Sequence, residues 1–112
     1  MFGKIKIRPA DRLYSQWLRG ERERCERCAG TKTLQCSHFY GRANEAVRFD
    51  PENTDCLCAG CHQYFTSYPA EYTEWKKKQL GEQRFKLLQI QANTYQKKDD
   101  AKILLFLKHI KK

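Results

Sequence analysis

Hydrophobic and polar positions change period several times along the chain, and each change marks an element. Residues 2–8 alternate through Lys4, Ile5, Lys6, Ile7 and Arg8, as a short edge strand or a loose basic arm would. Pro9 then reads as a first-turn proline. Leu13, Tyr14, Trp17 and Leu18 follow at helical spacing, and Gly20 should end that helix near residue 20 or soon after. Thr31 to Phe39 reads as a strand. Residues 40–52 read as a loop with Ala46 to Phe49 extended, and Asn53 to Leu57 as a second short strand.

From Cys58 the pattern turns helical through Ser67, with Leu57, Cys61, Tyr64 and Phe65 on one side. Pro69 opens another helix in which Tyr72, Trp75 and Gln79 share a side, and Gly81 interrupts it. Phe85, Leu88, Ala92 and Tyr95 line a third. Asp99 and Asp100 make an N-cap and an acidic first turn for the last helix, which is apolar on more than one side through Ile103, Leu104, Leu105, Phe106, Leu107 and Ile110. No repeat and no low-complexity segment interrupts this order.

The chain has 112 residues, of which 40% are apolar, enough for one modest core. Its longest unbroken apolar run is Ile103 to Leu107, far short of the roughly 20 residues of a membrane span, so no membrane role is expected. Lys4, Lys6 and Arg8 have no apolar stretch behind them, so no secretory signal is read and a cytoplasmic location is expected. In that reducing compartment the six cysteines point to metal rather than to disulfides.

Formal charge is +9, unevenly spread: residues 1–24 carry +4, residues 25–68 carry −1 and residues 69–112 carry +6. Basic flanks around a nearly neutral middle suit a polyanion-binding protein with a cation site at its centre. That middle holds every cysteine and two of the three histidines.

Cys25-Glu-Arg-Cys28 and Cys58-Ala-Gly-Cys61 are two CxxC knuckles with 29 residues between them. Two intervening residues let a tight turn aim both sulfurs at one ion, and two such knuckles supply a tetrahedral Zn²⁺ site. Four thiolates close the coordination sphere, so this zinc is structural. Cys36 and Cys56 read as small buried residues. A rival ligand set would recruit Cys36, Cys56, His38 or His62, none of which offers a second clean knuckle.

Between and after the knuckles come Cys36-Ser37-His38-Phe39, then Asn53, then His62, nine residues after Asn53. The order CxxC, strand ending in His, loop, Asn, then LCxxCH resembles the zinc-bearing HNH endonucleases of the ββα-metal superfamily. Residues 10–80 resemble more narrowly the NinG-like phage recombination nucleases. The resemblance implies that His38 is the general base activating water against a phosphodiester. It implies that Asn53 holds the loop and orients His38 through a backbone hydrogen bond. His62 would bind one divalent cation, Mg²⁺ or Mn²⁺, with Asn53 as a second candidate ligand. A neutral imidazole suits the base role at pH 7, and a hard cation beside a phosphate needs a site apart from the thiolates. Many HNH proteins carry Asp immediately before the base histidine; here that position is Ser37. Asn53, Asp50 and Asp55 are candidates to complete the cation's sphere.

Of the two loop arginines, Arg42 is the candidate phosphate contact ahead of Arg48. Lys76, Lys77 and Lys78 read as a solvated cationic run able to track a DNA backbone, Tyr64, Tyr68 and Trp75 as core, and His109 as a surface residue. The expected fold is α+β: a small ββα-metal (HNH) core with one structural zinc and an N-terminal helix over residues 1–68, and a basic helical extension over residues 69–112. The expected function is metal-dependent hydrolysis of DNA phosphodiesters, in recombining or branched DNA by resemblance, with a homodimer through the C-terminal helices. Two alternatives stand beside it: a catalytically inactive zinc-stapled DNA-binding module, and a partner-binding protein that uses the apolar last helix.

Overall fold

A computed structural model describes residues 7–94 and 99–110. The elements are α1 (Pro9–Arg22), β1 (Leu34–His38), a 3-10 turn (Glu45–Val47), β2 (Thr54–Cys58), α2 (Ala59–Ser67), α3 (Pro69–Leu80), α4 (Glu82–Ala92) and α5 (Asp100–Ile110). The fold is a small α+β arrangement of five helices and one two-stranded sheet. None of the described helices is long and apolar enough to cross a membrane.

The α1 start follows from Pro9 in its first turn and from Asp11, whose Oδ2 accepts the Arg8 backbone N–H at 2.7 Å. The helix runs past Gly20 to Arg22 and stops where Glu23 turns left-handed at φ 66°. The first strand starts at Leu34, later than the expected Thr31. The intervening chain is spent closing the first knuckle, with Ala29 and Thr33 both at positive φ. Residues 46–49 do not extend: Glu45–Val47 wind into a 3-10 turn that buries Val47. Gly81, at φ 83°, separates α3 from α4. At α5 the Lys102 N–H donates to Asp99 Oδ1 at 3.2 Å, the N-cap that the sequence indicated. Tyr95 and the strand or arm expected over residues 2–6 lie outside the described residues.

The two strands pair antiparallel, Cys36 opposite Cys56 and His38 opposite Thr54. Opposed residues share a face, so alternate pairs point to opposite sides of the hairpin. One side meets α1, where Cys36 packs with Tyr14 and Leu18, and Leu107 of α5 closes the cluster. The other side meets α2 and α3, where Leu57 packs with Cys25, Cys61, Phe65 and Tyr72. A third cluster joins Val47 to Leu80, Leu88 and Ala92, so α3 and α4 brace the loop between the strands. Tyr64 and Trp75 pack against the second of these clusters as expected, whereas Tyr68 is 55% exposed.

Lys76 departs most from the sequence reading. Instead of joining Lys77 and Lys78 on the solvated face, it is 1% exposed and donates to both oxygens of Asp55, at 2.9 and 3.1 Å. Asp55 is fully buried and also accepts the Tyr72 hydroxyl at 2.7 Å. Tyr72, Lys76 and Leu80 follow one another at four-residue spacing, so Lys76 falls on the buried side of α3.

Candidate metal centre and histidine site

The four knuckle cysteines converge. Their Sγ atoms all lie within 4.8 Å of one another, and Cys28 Sγ and Cys58 Sγ are 3.7 Å apart. Four sulfurs about 2.3 Å from one ion in a tetrahedron stand about 3.8 Å apart, so the cluster has the dimensions of a zinc site. Each knuckle turns on its own first sulfur. Cys28 N–H donates to Cys25 Sγ at 3.5 Å, and Cys61 N–H donates to Cys58 Sγ at 3.4 Å. Cys58 is also the N-cap of α2, where the helix dipole favours a thiolate. A Cβ on Gly30 would meet Cys28 Sγ at 3.3 Å, so the first knuckle closes tightly against that glycine.

Burial acts to raise the Cys25 thiol, but surrounding N–H groups outweigh it and bring its pKa to about 6. Cys61 is pushed up to about 12, first by burial and then by the other three sulfurs. Crowded thiolates of this kind need a cation among them, which is the chemistry that fits zinc. Arg27 adds positive charge from outside: its guanidinium lies 3.5 Å from Cys61 Sγ and 4.3 Å from the Tyr64 ring centroid. Among the described residues, these cysteines are the group of three or more His, Cys, Asp or Glu side chains placed to hold a metal. Cys36 and Cys56 stay apart from it, both buried and both kept protonated by burial, Cys36 with a pKa near 12.

His38 ends β1 on the side of the hairpin that faces α1. Its Nε2 lies 2.9 Å from the Arg48 carbonyl oxygen. A carbonyl only accepts, so Nε2 carries the proton and Nδ1 keeps its lone pair. Burial pushes the ring's pKa down most, and Arg42 adds to this. The Arg48 carbonyl and Asp11 oppose them, and the balance is about 4. His38 is therefore a neutral imidazole throughout the physiological range.

His62 sits in the first turns of α2, and its Nδ1 lies 2.7 Å from Gln35 Oε1. The amide oxygen accepts, so Nδ1 carries the proton and Nε2 keeps its lone pair. Metal-ligating histidines commonly donate their second N–H to an oxygen in this way. Burial lowers the His62 pKa, and Arg42 lowers it further. The two imidazoles thus take different partners from opposite sides of the hairpin, but the same guanidinium acts on both.

Asn53 is fully buried and spends its amide on backbone. Oδ1 accepts Tyr40 N–H at 2.8 Å, and Nδ2 donates to the carbonyls of Tyr40 and Val47, each at 3.0 Å. It ties both ends of the loop together, while the bond that orients His38 comes from Arg48. Asp55, locked to Lys76, does not stand free to serve a cation, and Asp50 Oδ1 accepts the Glu52 N–H at 2.8 Å. Ser37 is 2% exposed, and its hydroxyl lies 3.0 Å from that of Tyr72. Arg42 keeps its side chain 30% exposed, with Nε 3.7 Å from Asp11 Oδ1. His109 is exposed in the last turn of α5.

The sequence reading did not find Asp11, Gln35 or Tyr72. Asp11 carries a visible signal only for capping α1, and nothing local ties it to Arg48. Gln35 is a polar residue in a strand reading, the one hint that its face meets a polar group. Compared with known proteins, the chain matches no protein family, no curated protein and no solved structure.

Proposed function

We propose that the protein is a metal-dependent endonuclease that hydrolyses DNA phosphodiester bonds, with His38 as general base, Arg42 as phosphate contact and His62 as the protein ligand of a divalent cation. One observation carries this reading: His38 is fixed through Nε2 on the Arg48 carbonyl, which leaves Nδ1 unprotonated as the nitrogen able to take a proton.

In the proposed reaction His38 Nδ1 takes a proton from a water molecule as that oxygen attacks phosphorus, and the bond from phosphorus to the leaving deoxyribose oxygen breaks. Arg42, drawn to an anion, holds a non-bridging phosphate oxygen while charge builds there. His62 Nε2 would be the protein ligand of the divalent cation, Mg²⁺ or Mn²⁺, which would supply neutralisation of charge on the phosphate and on the leaving oxygen. Such cations keep several waters and bind substrate phosphate directly, which would supply the oxygen donors that an imidazole does not. The zinc cluster has a different task, holding the connection between α1 and β1 to the start of α2, the helix that carries His62. The overall +9 charge favours a polyanionic substrate.

A second reading has its own observation. Ser37 occupies the position where the resemblance calls for a carboxylate, and it is buried against Tyr72. A zinc-stapled DNA-binding module without cleavage would look the same there. Incubation of supercoiled plasmid with the zinc-loaded protein and Mn²⁺ separates the two. The nuclease nicks, and His38→Ala stops nicking with DNA affinity and zinc content unchanged. Binding without nicking in Mg²⁺ and in Mn²⁺ overturns the nuclease and leaves the module.

A further inference from the structure

Arg48 was the lesser candidate of the two loop arginines, yet it is the more deeply engaged. Its side chain is 4% exposed and meets Asp11, itself 1% exposed, in a two-pronged pair: Nε to Oδ1 at 2.9 Å and Nη2 to Oδ2 at 2.6 Å. The remaining prong, Nη1, donates to the Arg42 carbonyl at 2.8 Å and to Glu45 Oε2 at 3.1 Å. Its own carbonyl accepts from His38.

We infer that the Asp11–Arg48 pair is the positioning device of the proposed cleavage site, fixing in one unit the carbonyl that orients His38 and the backbone that carries Arg42. The inference rests on the nuclease reading for its catalytic meaning, but not for its geometry. Asp11 is fixed from α1, where its carboxylate also caps the Arg8 N–H. The loop from Arg42 to Arg48 is thereby pinned to a helix on the opposite side of the hairpin from α2. Burial alone would raise the Asp11 carboxyl. The Arg48 fork, the Arg8 N–H and the charge of Arg42 outweigh it and hold Asp11 ionised. A fork geometry is what lysine cannot reproduce, since its ammonium is a single point of charge. Neither Asp11 nor Arg48 touches substrate in this scheme; both act through His38 and Arg42.

Arg48→Lys tests this, with Asp11→Asn as the milder variant. Circular dichroism and zinc content establish folding, and nitrogen-15 correlation spectra of the His38 ring report its tautomer and titration. In the wild type the ring is the Nε2–H tautomer and titrates near pH 4. In Arg48→Lys the ring loses its single tautomer and, without the Arg48 carbonyl bond that opposes the effect of burial, titrates below the wild-type ring. The acid limb of the nicking profile moves with it, and kcat falls about a hundredfold with KM little changed, the scale of a misplaced catalytic group. A folded Arg48→Lys protein with the wild-type tautomer, titration and acid limb overturns the inference. So does a wild-type ring protonated at Nδ1, which decides the matter even if neither variant folds. If the wild-type protein does not nick at all, the nuclease reading fails, and the ring spectra still judge the clamp.

Discussion

Replacing Lys76 by methionine should cost more stability than any other change to a residue that the sequence places on the surface. Lys76 and Asp55 are 1% and 0% exposed at their side chains, and the ammonium contacts both carboxylate oxygens. Methionine fills much the same volume but leaves the carboxylate with only the Tyr72 hydroxyl among its side-chain partners. Removing one member of a buried ion pair costs about 3–5 kcal/mol, because the other charge stays behind without compensation. Domains of this size hold about 5–15 kcal/mol in all, so the variant should sit near the edge of folding. The double variant Asp55→Asn/Lys76→Met removes both charges, and neutral replacements of buried pairs are often tolerated. It should recover at least about 2 kcal/mol relative to the single variant, the size of a strong pairwise coupling. Urea unfolding of zinc-loaded protein, followed by circular dichroism, measures both. A single-variant loss below about 1 kcal/mol, or a double variant less stable than the single, would refute the argument from burial.

Two further outcomes follow from the site. A strong chelator should unfold the region around the knuckles, since the four sulfurs join the connection between α1 and β1 to the start of α2. Retention of near-native circular dichroism after complete zinc removal counts against a structural metal. His38 should make stability depend on pH in a defined window. Its folded pKa, about 4, lies below the ordinary 6.5, so its contribution is full above pH 6.5 and is lost as pH falls from there through 4. The loss is on the order of 3 kcal/mol or less, and it should be missing in His38→Asn; an equally steep acid limb in that variant contradicts the assignment.

How much of this was legible beforehand depends on the range over which each feature is encoded. The knuckles, the capping of α5 by Asp99 and the hairpin between Leu34 and Cys58 are local patterns, and local spacing is what a sequence displays directly. A boundary moved where a neighbouring constraint intervened: closure of the first knuckle delayed β1, whereas α1 ended at Arg22, soon after Gly20 as expected. Lys76 was misread because a run of like residues hides which member the helix turns inward.

The candidate site divides the same way. His38, Asn53 and His62 stand out by type and spacing, but their partners do not. The ring of His38 hangs on a carbonyl ten residues away, and that carbonyl's residue is held by an aspartate 37 residues distant. Ser37 shows the limit from the other side. Its identity is plain in the sequence, but only packing reveals that its hydroxyl is committed to Tyr72 and that Asp55 behind it is committed to Lys76.

The central claim is that the sulfur cluster and a second, hard-cation site at His62 are separate, and that cleavage belongs to the second. Anomalous diffraction from crystals of the zinc-loaded protein soaked in Mn²⁺ addresses both halves at once. The account predicts a zinc signal among Cys25, Cys28, Cys58 and Cys61 and a manganese signal at His62 Nε2. Manganese found only among the cysteines, or absent from His62 at saturating concentration, would contradict it.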